Sequence, residues 1–323
     1  MPSFLTFLLG LAALIIGASL LIRGGSSLAF RAGISPFIIG ITLVAFGTSS
    51  PELAVAIQSA VSGEGTLSVG NLIGANIIGL LLILGLLGTI RPSRIPGQGL
   101  RLHLPMMVLS SGAVFLLLQD GDLNQLDGAL LIAVAATYLL LIGGALRRGA
   151  IGRSSAPEAD ADDAEPQHDP IGVSILRLLA GLAILVLASG VTVSAAVELA
   201  NNLGVSNTII GLTIVALGTS SPELTTAVMA SIRRERQLAL GNIFGSVIFN
   251  NSLMLGVTGA LSANRVLLDL TTVRVDLPVL LAASVLAIPI LVSGRRIVRF
   301  EGIALIAAYI AFLSFVILVQ AQL

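Results

Sequence analysis

The chain alternates long apolar runs with short polar connections over its whole length. A bilayer core about 30 Å thick is crossed by roughly 20 apolar helical residues. Runs of suitable length are separated by connections rich in Gly, Pro, Asn, Asp and Arg. They occupy residues 4–22, 36–62, 67–90, 102–118, 125–146, 171–197, 205–232, 237–262, 275–293 and 301–320. The pattern predicts an all-α polytopic membrane protein with ten transmembrane helices.

One connection is much longer than the others. Residues 147–170 are polar and acidic and have no apolar periodicity, which is typical of a disordered linker. The linker divides the chain into residues 1–146 and 171–323, each with five predicted helices. The acidic run from Glu158 to Asp169 lacks the spacing of an EF-hand loop, so a solubilising role is favoured over Ca²⁺ binding.

The two halves share a motif that lies within an apolar run. Residues 40–53 read GITLVAFGTSSPEL and residues 211–224 read GLTIVALGTSSPEL, with 11 of 14 positions identical at an offset of 171. Each copy carries one glutamate, Glu52 or Glu223, inside a predicted span. An ionisable residue within a membrane span is costly, and it marks a functional site by default. Its occurrence in both halves argues against a purely structural buried acid.

The same offset relates a second element further along each half. VGNLIGANIIGL at 69–80 aligns with LGNIFGSVIFNN at 240–251, and both contain the pattern G-N-x-x-G. Small residues at helical spacing let neighbouring helix backbones approach each other closely. The repeats are therefore expected to cover about 36–90 and 205–262.

The arginines predict how the spans are oriented. With ten spans, fifteen of the 17 basic residues fall at connections on one side, and only Arg265 and Arg274 fall on the other. An excess of basic residues marks the cytoplasmic side. Both termini are therefore expected outside a plasma or inner membrane, with the linker in the cytoplasm. The two motifs lie five spans apart, so the second is inverted relative to the first, which is a plan of secondary transporters with a midplane binding site.

Composition narrows the chemistry. The chain is 55% hydrophobic and only 11% charged, which makes the bilayer its main partner. It has no cysteine, so disulfides and thiolate chemistry are excluded. Its zero net charge argues against a nucleic-acid partner, and no phosphate-binding G-x-x-x-x-G-K-[ST] motif occurs. We therefore expect a protein that is not an enzyme, holds no cofactor and binds no nucleotide.

The motif is rich in oxygen donors. Proline lacks an N–H, so Pro51 and Pro222 leave the carbonyls of Gly47 and Gly218 without their helical bonds. Unwound backbone at membrane depth is tolerated where it lines a cavity or binds an ion. Carbonyls, hydroxyls and carboxylates together suit Na⁺ or Ca²⁺ better than a transition metal. Two ionised glutamates would be neutralised by one Ca²⁺ or by two monovalent cations.

These motifs resemble those of a known family. G-T-S-x-P-E followed by G-N-x-x-G in both halves is similar to the α-repeats of the cation/Ca²⁺ exchanger superfamily, and above all to prokaryotic sodium/calcium exchangers. The resemblance covers nearly all ten spans, including R-x-G-I-S-P-F-I-I-G at 31–40 and its counterpart LGVSNTIIG at 203–211. One copy of the motif is moderately specific, whereas the double, inverted occurrence is highly specific.

The resemblance implies a set of ion ligands. It makes the two motif glutamates central ligands of Ca²⁺ and Na⁺, supported by hydroxyl, amide and backbone carbonyl oxygens. The implied residues are Glu52, Glu223, Thr48, Ser49, Thr219, Ser220, Ser246 and Asn250, with Ala45 and Ala216 supplying backbone carbonyls.

The first half departs from the family pattern. Where the family has a serine and, four residues on, an Asn or Asp, this half has Ala75 and Gly79. Asn250 stands where many members have Asp, and a neutral Asn resembles a protonated Asp in shape. The number of bound Na⁺, and the choice between Na⁺ and H⁺ as the coupling ion, are left open by these departures. Asn76 or Asn251 is a weak candidate for a replacement ligand.

The expected function is secondary antiport that exchanges Ca²⁺ for Na⁺ by alternating access. Within this class, H⁺-coupled exchange is the alternative. Outside it, a cation channel is disfavoured, because channel filters are usually built from rings of subunits. A membrane protein that binds Ca²⁺ without transporting it is the remaining alternative. The implied site is complete within one chain, so we expect the monomer to function.

Overall fold

The computed structural model describes residues 2–90, 93–94, 97–148, 169–203, 216–292 and 296–320. The predicted linker therefore lies largely outside the described residues, as do residues 204–215, which include the start of the second motif.

The first half is built of helices. They are α1 (Pro2–Arg31), α2 (Pro36–Ile39), α3 (Ala45–Thr48), α4 (Ser50–Ser62), α5 (Gly65–Ile77), α6 (Leu84–Ile90), α7 (Gly97–Leu117) and α8 (Gln125–Arg147). π-helical turns at Gly40–Val44 and Ile78–Ile83 join α2 to α3 and α5 to α6. Two short strands, β1 (Ser93–Arg94) and β2 (Asp122–Leu123), lie in the connections.

The second half repeats this order. Its helices are α9 (Ile171–Asn202), α10 (Ala216–Thr219), α11 (Ser221–Ile232), α12 (Arg236–Phe249), α13 (Leu255–Leu261), α14 (Leu277–Val292) and α15 (Arg299–Gln320). π-helical turns at Asn250–Met254 and Thr272–Asp276 join α12 to α13 and precede α14. The strands are β3 (Val266–Leu267) and β4 (Arg296–Ile297).

The helices confirm an all-helical polytopic membrane protein. Among the described residues, seven helices are long and apolar enough to cross a membrane, and the bent pair formed by Pro36–Thr48 and Ser50–Ser62 would be an eighth. A shorter apolar helix at Arg101–Leu117 and the α10–α11 segment correspond to the two other predicted spans.

Two helix ends differ from the sequence prediction. The first span was expected to end at residue 22, but α1 continues to Arg31, and α9 continues past residue 197 to Asn202. The two helices pack along each other in antiparallel fashion, and α1 approaches so closely at Gly24 that a Cβ there would collide with the α9 backbone at Ser174 and Leu178. This packing stabilises a helix well beyond the apolar run that the sequence pattern marks.

Two antiparallel ribbons tie connections from opposite halves together. Strand β1, between α6 and α7, pairs with β4, which precedes α15. Strand β2, between α7 and α8, pairs with β3, which follows α13. The predicted topology puts the members of each pair on the same membrane face, so the pairings agree with the ten-span order.

The second half contributes the centre of the molecule. The Arg236–Leu261 stretch is buried over almost its whole length and packs against α2, α3 and the turn between them. Small residues allow this approach, because a Cβ on Gly245 would lie 2.5 Å from the Ile41 carbonyl oxygen. The glycine-rich element of one half is thereby held directly against the glutamate motif of the other.

Candidate functional site

Both glutamate motifs break their helices at the same position. Ser49 (φ −87°, ψ 11°) separates α3 from α4, and Ser220 (φ −85°, ψ 8°) separates α10 from α11. The helical stretches on either side of Ser49 are bent by 43°. The proline two residues later explains the break, because it removes one helical hydrogen bond and crowds the preceding turn. The sequence prediction of locally unwound backbone is confirmed in both copies.

The carbonyls left without a helical bond by the prolines have different neighbours in the two halves. The Ser189 hydroxyl on α9 donates a hydrogen bond to the Gly218 carbonyl at 2.9 Å and accepts one from Ser221. The equivalent position on α1 is Ala18, which has no hydroxyl. In the second half, the freed carbonyl therefore already has a protein donor.

The two motifs meet at the centre of the molecule. The Ser49 hydroxyl lies 3.3 Å from Oε1 of Glu223 and 3.0 Å from the Ser246 hydroxyl. All three residues are buried. A first-half motif residue is thus in contact with the second-half glutamate and with the second-half supporting helix. This contact brings the two motifs, 171 residues apart in sequence, into one polar cluster.

A pair of crossed hydrogen bonds reproduces the repeat symmetry. The Thr48 hydroxyl donates to Oδ1 of Asn242 at 3.0 Å, and the Thr219 hydroxyl donates to Oδ1 of Asn71 at 3.3 Å. Each bond joins the motif of one half to the Gly-Asn pair of the other, and the offset of 171 converts one bond into the other. The asparagines therefore act as interhelical hydrogen-bond acceptors that align the threonines.

Several buried oxygens of the cluster have no hydrogen-bond partner. Glu52 is 2% exposed and Glu223 is 7% exposed. Among the described residues, Oε2 of each glutamate, the Ser220 hydroxyl and Oδ1 of Asn250 are buried without a partner, and neither glutamate forms an ion pair. Nδ2 of Asn242 is the donor of the cluster that likewise lacks a partner among these residues. Buried polar groups are normally satisfied, so an unpaired set composed mainly of acceptors points to a bound species. Two carboxylates without a protein cation fit a positively charged ligand.

The other predicted site residues have distinct surroundings. The Ala45 carbonyl accepts the Ser49 N–H at 3.0 Å and lies 3.4 Å from the Thr48 hydroxyl. Ala216 begins α10, one turn before the break at Ser220. Ser246 contacts Ser49, and Asn250 begins the π-helical turn after α12.

Two asparagines that were weak sequence candidates turn out to bond each other. Nδ2 of Asn76 donates to Oδ1 of Asn251 at 2.7 Å, and Oδ1 of Asn76 accepts from Asn250 at 3.1 Å. Both amide ends of Asn76 are therefore occupied by protein partners. Little in the sequence indicates this arrangement, because the repeat offset aligns Asn76 with Val247, and Asn251 with Leu80.

The donor set is chemically uniform. It consists of carboxylate, hydroxyl, amide and carbonyl oxygens, and no three His, Cys, Asp or Glu side chains come together anywhere in the described part of the chain. Hard cations such as Na⁺ and Ca²⁺ prefer oxygen ligands and accept neutral ones. A transition-metal centre would require imidazole or thiolate ligands that the cluster lacks. The arrangement is therefore suited to holding alkali or alkaline-earth cations.

Comparison with known proteins also points to Na⁺ and Ca²⁺. A family model described as sodium/calcium exchanger protein matches residues 2–144 and 173–318. Sodium/calcium exchanger MaX1 of Methanosarcina acetivorans is 30% identical over 345 residues, covering 96% of this chain and 97% of MaX1. Inner membrane protein YrbG of Escherichia coli is 34% identical over 218 residues, covering 68% of this chain and 67% of YrbG.

The fold is also similar to a solved structure. The sodium-calcium exchanger NCX_Mj, in crystals soaked with zero Na⁺ and Ca²⁺, superposes with a TM-score of 0.81 at 27% identity, covering 97% of this chain and 98% of NCX_Mj. Crystals of the same exchanger were also soaked with Na⁺ and Sr²⁺. The similarity spans both matched segments and therefore both halves of the molecule.

Proposed function

This chain belongs to the sodium/calcium exchanger family, and we propose that it exchanges Ca²⁺ for Na⁺ across the membrane by alternating access. As a cation/Ca²⁺ exchanger it is a transporter and not an enzyme. The choice of Na⁺ as the coupling ion is supported by the oxygen-only donor set and by the name of its relative MaX1.

The observation that carries the proposal is the meeting of the two inverted motifs. Ser49 of one motif hydrogen-bonds Glu223 of the other, while Oε2 of each glutamate lacks a partner among the described residues. Two buried carboxylates carry a charge of −2 when ionised, and a single Ca²⁺ cancels that charge. Two Na⁺ would do the same, so the two ions compete for one set of oxygens. Such competition is the physical basis of exchange.

The proposed ligands are those that the family resemblance implies. Glu52 and Glu223 would hold the ion, with support from the oxygens of Thr48, Ser49, Thr219, Ser220, Ser246, Asn250, Ala45 and Ala216. The unpaired Ser220 hydroxyl and the unpaired Asn250 Oδ1 are the neutral groups with the clearest capacity to bind a cation.

The proposed arrangement in the membrane is a pair of inverted five-helix repeats, residues 1–146 and 171–323, in the inner or plasma membrane. Both termini would lie outside, and the linker 147–170 would be cytoplasmic. The similarity to an inner membrane protein supports this location. The α1–α9 pair packs through small residues, with Gly17 and Gly181 in backbone contact, which suits two helices that slide past the site as gates.

Ion flux in vesicles tests the proposal. Inside-out vesicles containing the protein are loaded with Ca²⁺ tracer, and a Na⁺ gradient and a pH gradient are imposed separately. We expect saturable Ca²⁺ movement driven by the Na⁺ gradient alone. Movement driven only by the pH gradient would replace Na⁺ with H⁺ as the coupling ion. Conductance without exchange would indicate a channel, and Ca²⁺ movement indifferent to both gradients would contradict antiport.

A further inference from the structure

A chain of buried amides begins at Asn250 and ends on another helix. Nδ2 of Asn250 donates to Oδ1 of Asn76 at 3.1 Å, and Nδ2 of Asn76 donates to Oδ1 of Asn251 at 2.7 Å. Nδ2 of Asn251 then donates to the Ser111 hydroxyl on α7 at 2.9 Å. All four side chains are at most 3% exposed. The chain joins the proposed ion ligand Asn250 to a helix that carries none of the proposed ligands.

The serines at the far end of this amide chain favour one donor-to-acceptor direction for all of its hydrogen bonds. The hydroxyls of Ser110 and Ser111 lie 2.9 Å and 3.0 Å from the Met107 carbonyl oxygen, which can only accept hydrogen bonds. The Ser111 hydrogen has two acceptors within reach, that carbonyl and the Ser284 hydroxyl at 2.7 Å, so the Ser111 oxygen can accept from an amide. The NH₂ group of Asn251 points towards Ser111 in agreement with this.

The orientation of each amide then determines the orientation of the next one. With its NH₂ group on Ser111, Asn251 offers its oxygen to Asn76, and Asn76 offers its oxygen to Asn250. The NH₂ group of Asn250 donates its hydrogen bond to Asn76, so the Oδ1 atom of Asn250 is the end of the amide chain that remains available to a ligand. That oxygen is buried and has no hydrogen-bond partner among the described residues.

We propose that Asn76, Asn251 and Ser111 are positioning residues that hold the Asn250 amide with its oxygen, rather than its NH₂ group, available to the transported cation. This inference rests on the proposed ion site. A reversed amide would direct N–H dipoles at the cation and repel it, although the shape of the side chain would be almost unchanged. The amide chain thus determines whether Asn250 presents a negative or a positive dipole end to the ion, without contacting the ion itself.

The effect of the positioning residues should depend on whether residue 250 is an amide or an acid. A carboxylate presents an oxygen in either orientation, but it cannot donate a hydrogen bond to the Asn76 oxygen, so an acid at this position gains nothing from the direction of the amide chain. An asparagine does gain from it. The positioning residues should therefore support ion binding by the native asparagine and give no advantage once Asn250 is replaced by Asp.

The test substitutes Asn251 by Leu, which has a similar size but no polar group. The half-saturating Ca²⁺ concentration is measured in vesicle exchange, and the Ca²⁺-induced shift in unfolding temperature is measured on purified protein. We expect the half-saturating concentration to rise roughly tenfold, the effect of losing one well-placed ligand interaction. Ser252→Ala is the matched control, because Ser252 is the next residue and equally buried but, among the described residues, bonds only the Ile248 carbonyl. It should stay within about twofold of the unsubstituted protein.

A double-mutant cycle separates positioning from general structural support. In the Asn250→Asp background, Asn251→Leu should not raise the half-saturating Ca²⁺ concentration, because Asn76 is then free to turn its NH₂ group towards the carboxylate. An equal tenfold loss in both backgrounds would overturn the inference, as would unchanged Ca²⁺ dependence in Asn251→Leu itself. If Asn251→Leu does not accumulate in membranes, the joint Ser110→Ala and Ser111→Ala substitution takes its place in the cycle with the same expectations.

The outcome also distinguishes this inference from the proposed function. Unsubstituted protein with neither exchange nor a Ca²⁺-induced thermal shift would contradict the proposed function and, with it, this inference. Active unsubstituted protein with an unaffected Asn251→Leu variant would contradict only the role of the amide chain.

Discussion

The two halves of the molecule are almost identical at the glutamate motifs and clearly different in the helices behind them. Both motifs break at the serine two residues before the proline, and the crossed bonds from Thr48 to Asn242 and from Thr219 to Asn71 repeat the same geometry. The supporting turns do not match. The second half offers Asn250 and Asn251, where the first half has Gly79 and Leu80.

This difference separates two requirements of the site. In the proposed site, the charge that would attract a cation comes equally from both halves, because each motif supplies one buried carboxylate. Most of the neutral oxygens proposed to bind the ion come from the second half, whose Arg236–Leu261 stretch is also the most buried of the candidate membrane spans among the described residues. Inverted symmetry is therefore kept where charge must be balanced and relaxed where geometry is adjusted.

The largest expected effect tests the equality of the motifs. Glu52→Gln and Glu223→Gln should each reduce Ca²⁺ exchange at least about 100-fold, because each removes one of two buried charges that the ion neutralises. The measurement is Ca²⁺ tracer uptake in vesicles, with size-exclusion chromatography to check folding. Glu64→Gln, at an exposed glutamate beside α4, is the control and should retain full exchange. A large loss in only one of the two site variants would show that the two glutamates do not contribute equally.

A second substitution pair tests the inequality of the serines at the helix breaks. Ser49 bonds Glu223 and Ser246, whereas the Ser220 hydroxyl is buried without a partner among the described residues. Without bound ions, Ser49→Ala should lower the free energy of unfolding by about 1–2 kcal/mol, while Ser220→Ala should leave it unchanged or raise it. Thermal unfolding in Na⁺- and Ca²⁺-free buffer measures both. Equal losses would show that the hydrogen bonds of Ser49 do not stabilise the fold.

A third substitution adds an amide oxygen to the first half, which supplies fewer of the proposed ligands. A Cβ at Gly79 would meet only Val247, at 3.8 Å, so a side chain can be accommodated at its base. Gly79→Asn should add an amide oxygen to the site and lower the half-saturating Na⁺ concentration about fivefold, as one additional ligand interaction of about 1 kcal/mol would. Gly143→Asn, at a helical glycine with open space around it, controls for the general effect of this replacement. Unchanged Na⁺ dependence in Gly79→Asn would remove position 79 from the site.

The smallest effect concerns the loops that precede the two supporting helices. Glu64 and Glu235 occupy equivalent positions there, but burial raises the pKa of Glu235 above its usual value of 4.5. A raised pKa means that the folded state favours the protonated acid, so stability is lost as pH rises from about 4.5 through the folded pKa. Glu235→Gln should reduce this loss, and Glu64→Gln, at the exposed equivalent position, is the control. Unfolding temperatures measured across this pH range would reveal the difference, and identical pH profiles for the two variants would contradict it.

Sequence reasoning predicted the features that depend on local pattern. Apolar runs located the helices, and the prolines of the motifs predicted the breaks that the structure has at Ser49 and Ser220. The ends of α1 and α9 were misjudged, because they depend on packing between two helices and not on the run of apolar residues. The amide chain through Asn76 and Asn251 was also beyond reach, since it depends on the register of helices from both halves and has no counterpart at the repeat offset.

In the proposed site the two glutamates bind a single Ca²⁺ together, and the halves do not bind one Ca²⁺ each. Equilibrium binding of Ca²⁺ tracer to the purified, Na⁺-free protein distinguishes these arrangements. We expect one Ca²⁺ per chain, with binding lost to a similar extent in Glu52→Gln and in Glu223→Gln. Two Ca²⁺ per chain, with one retained in each variant, would contradict it.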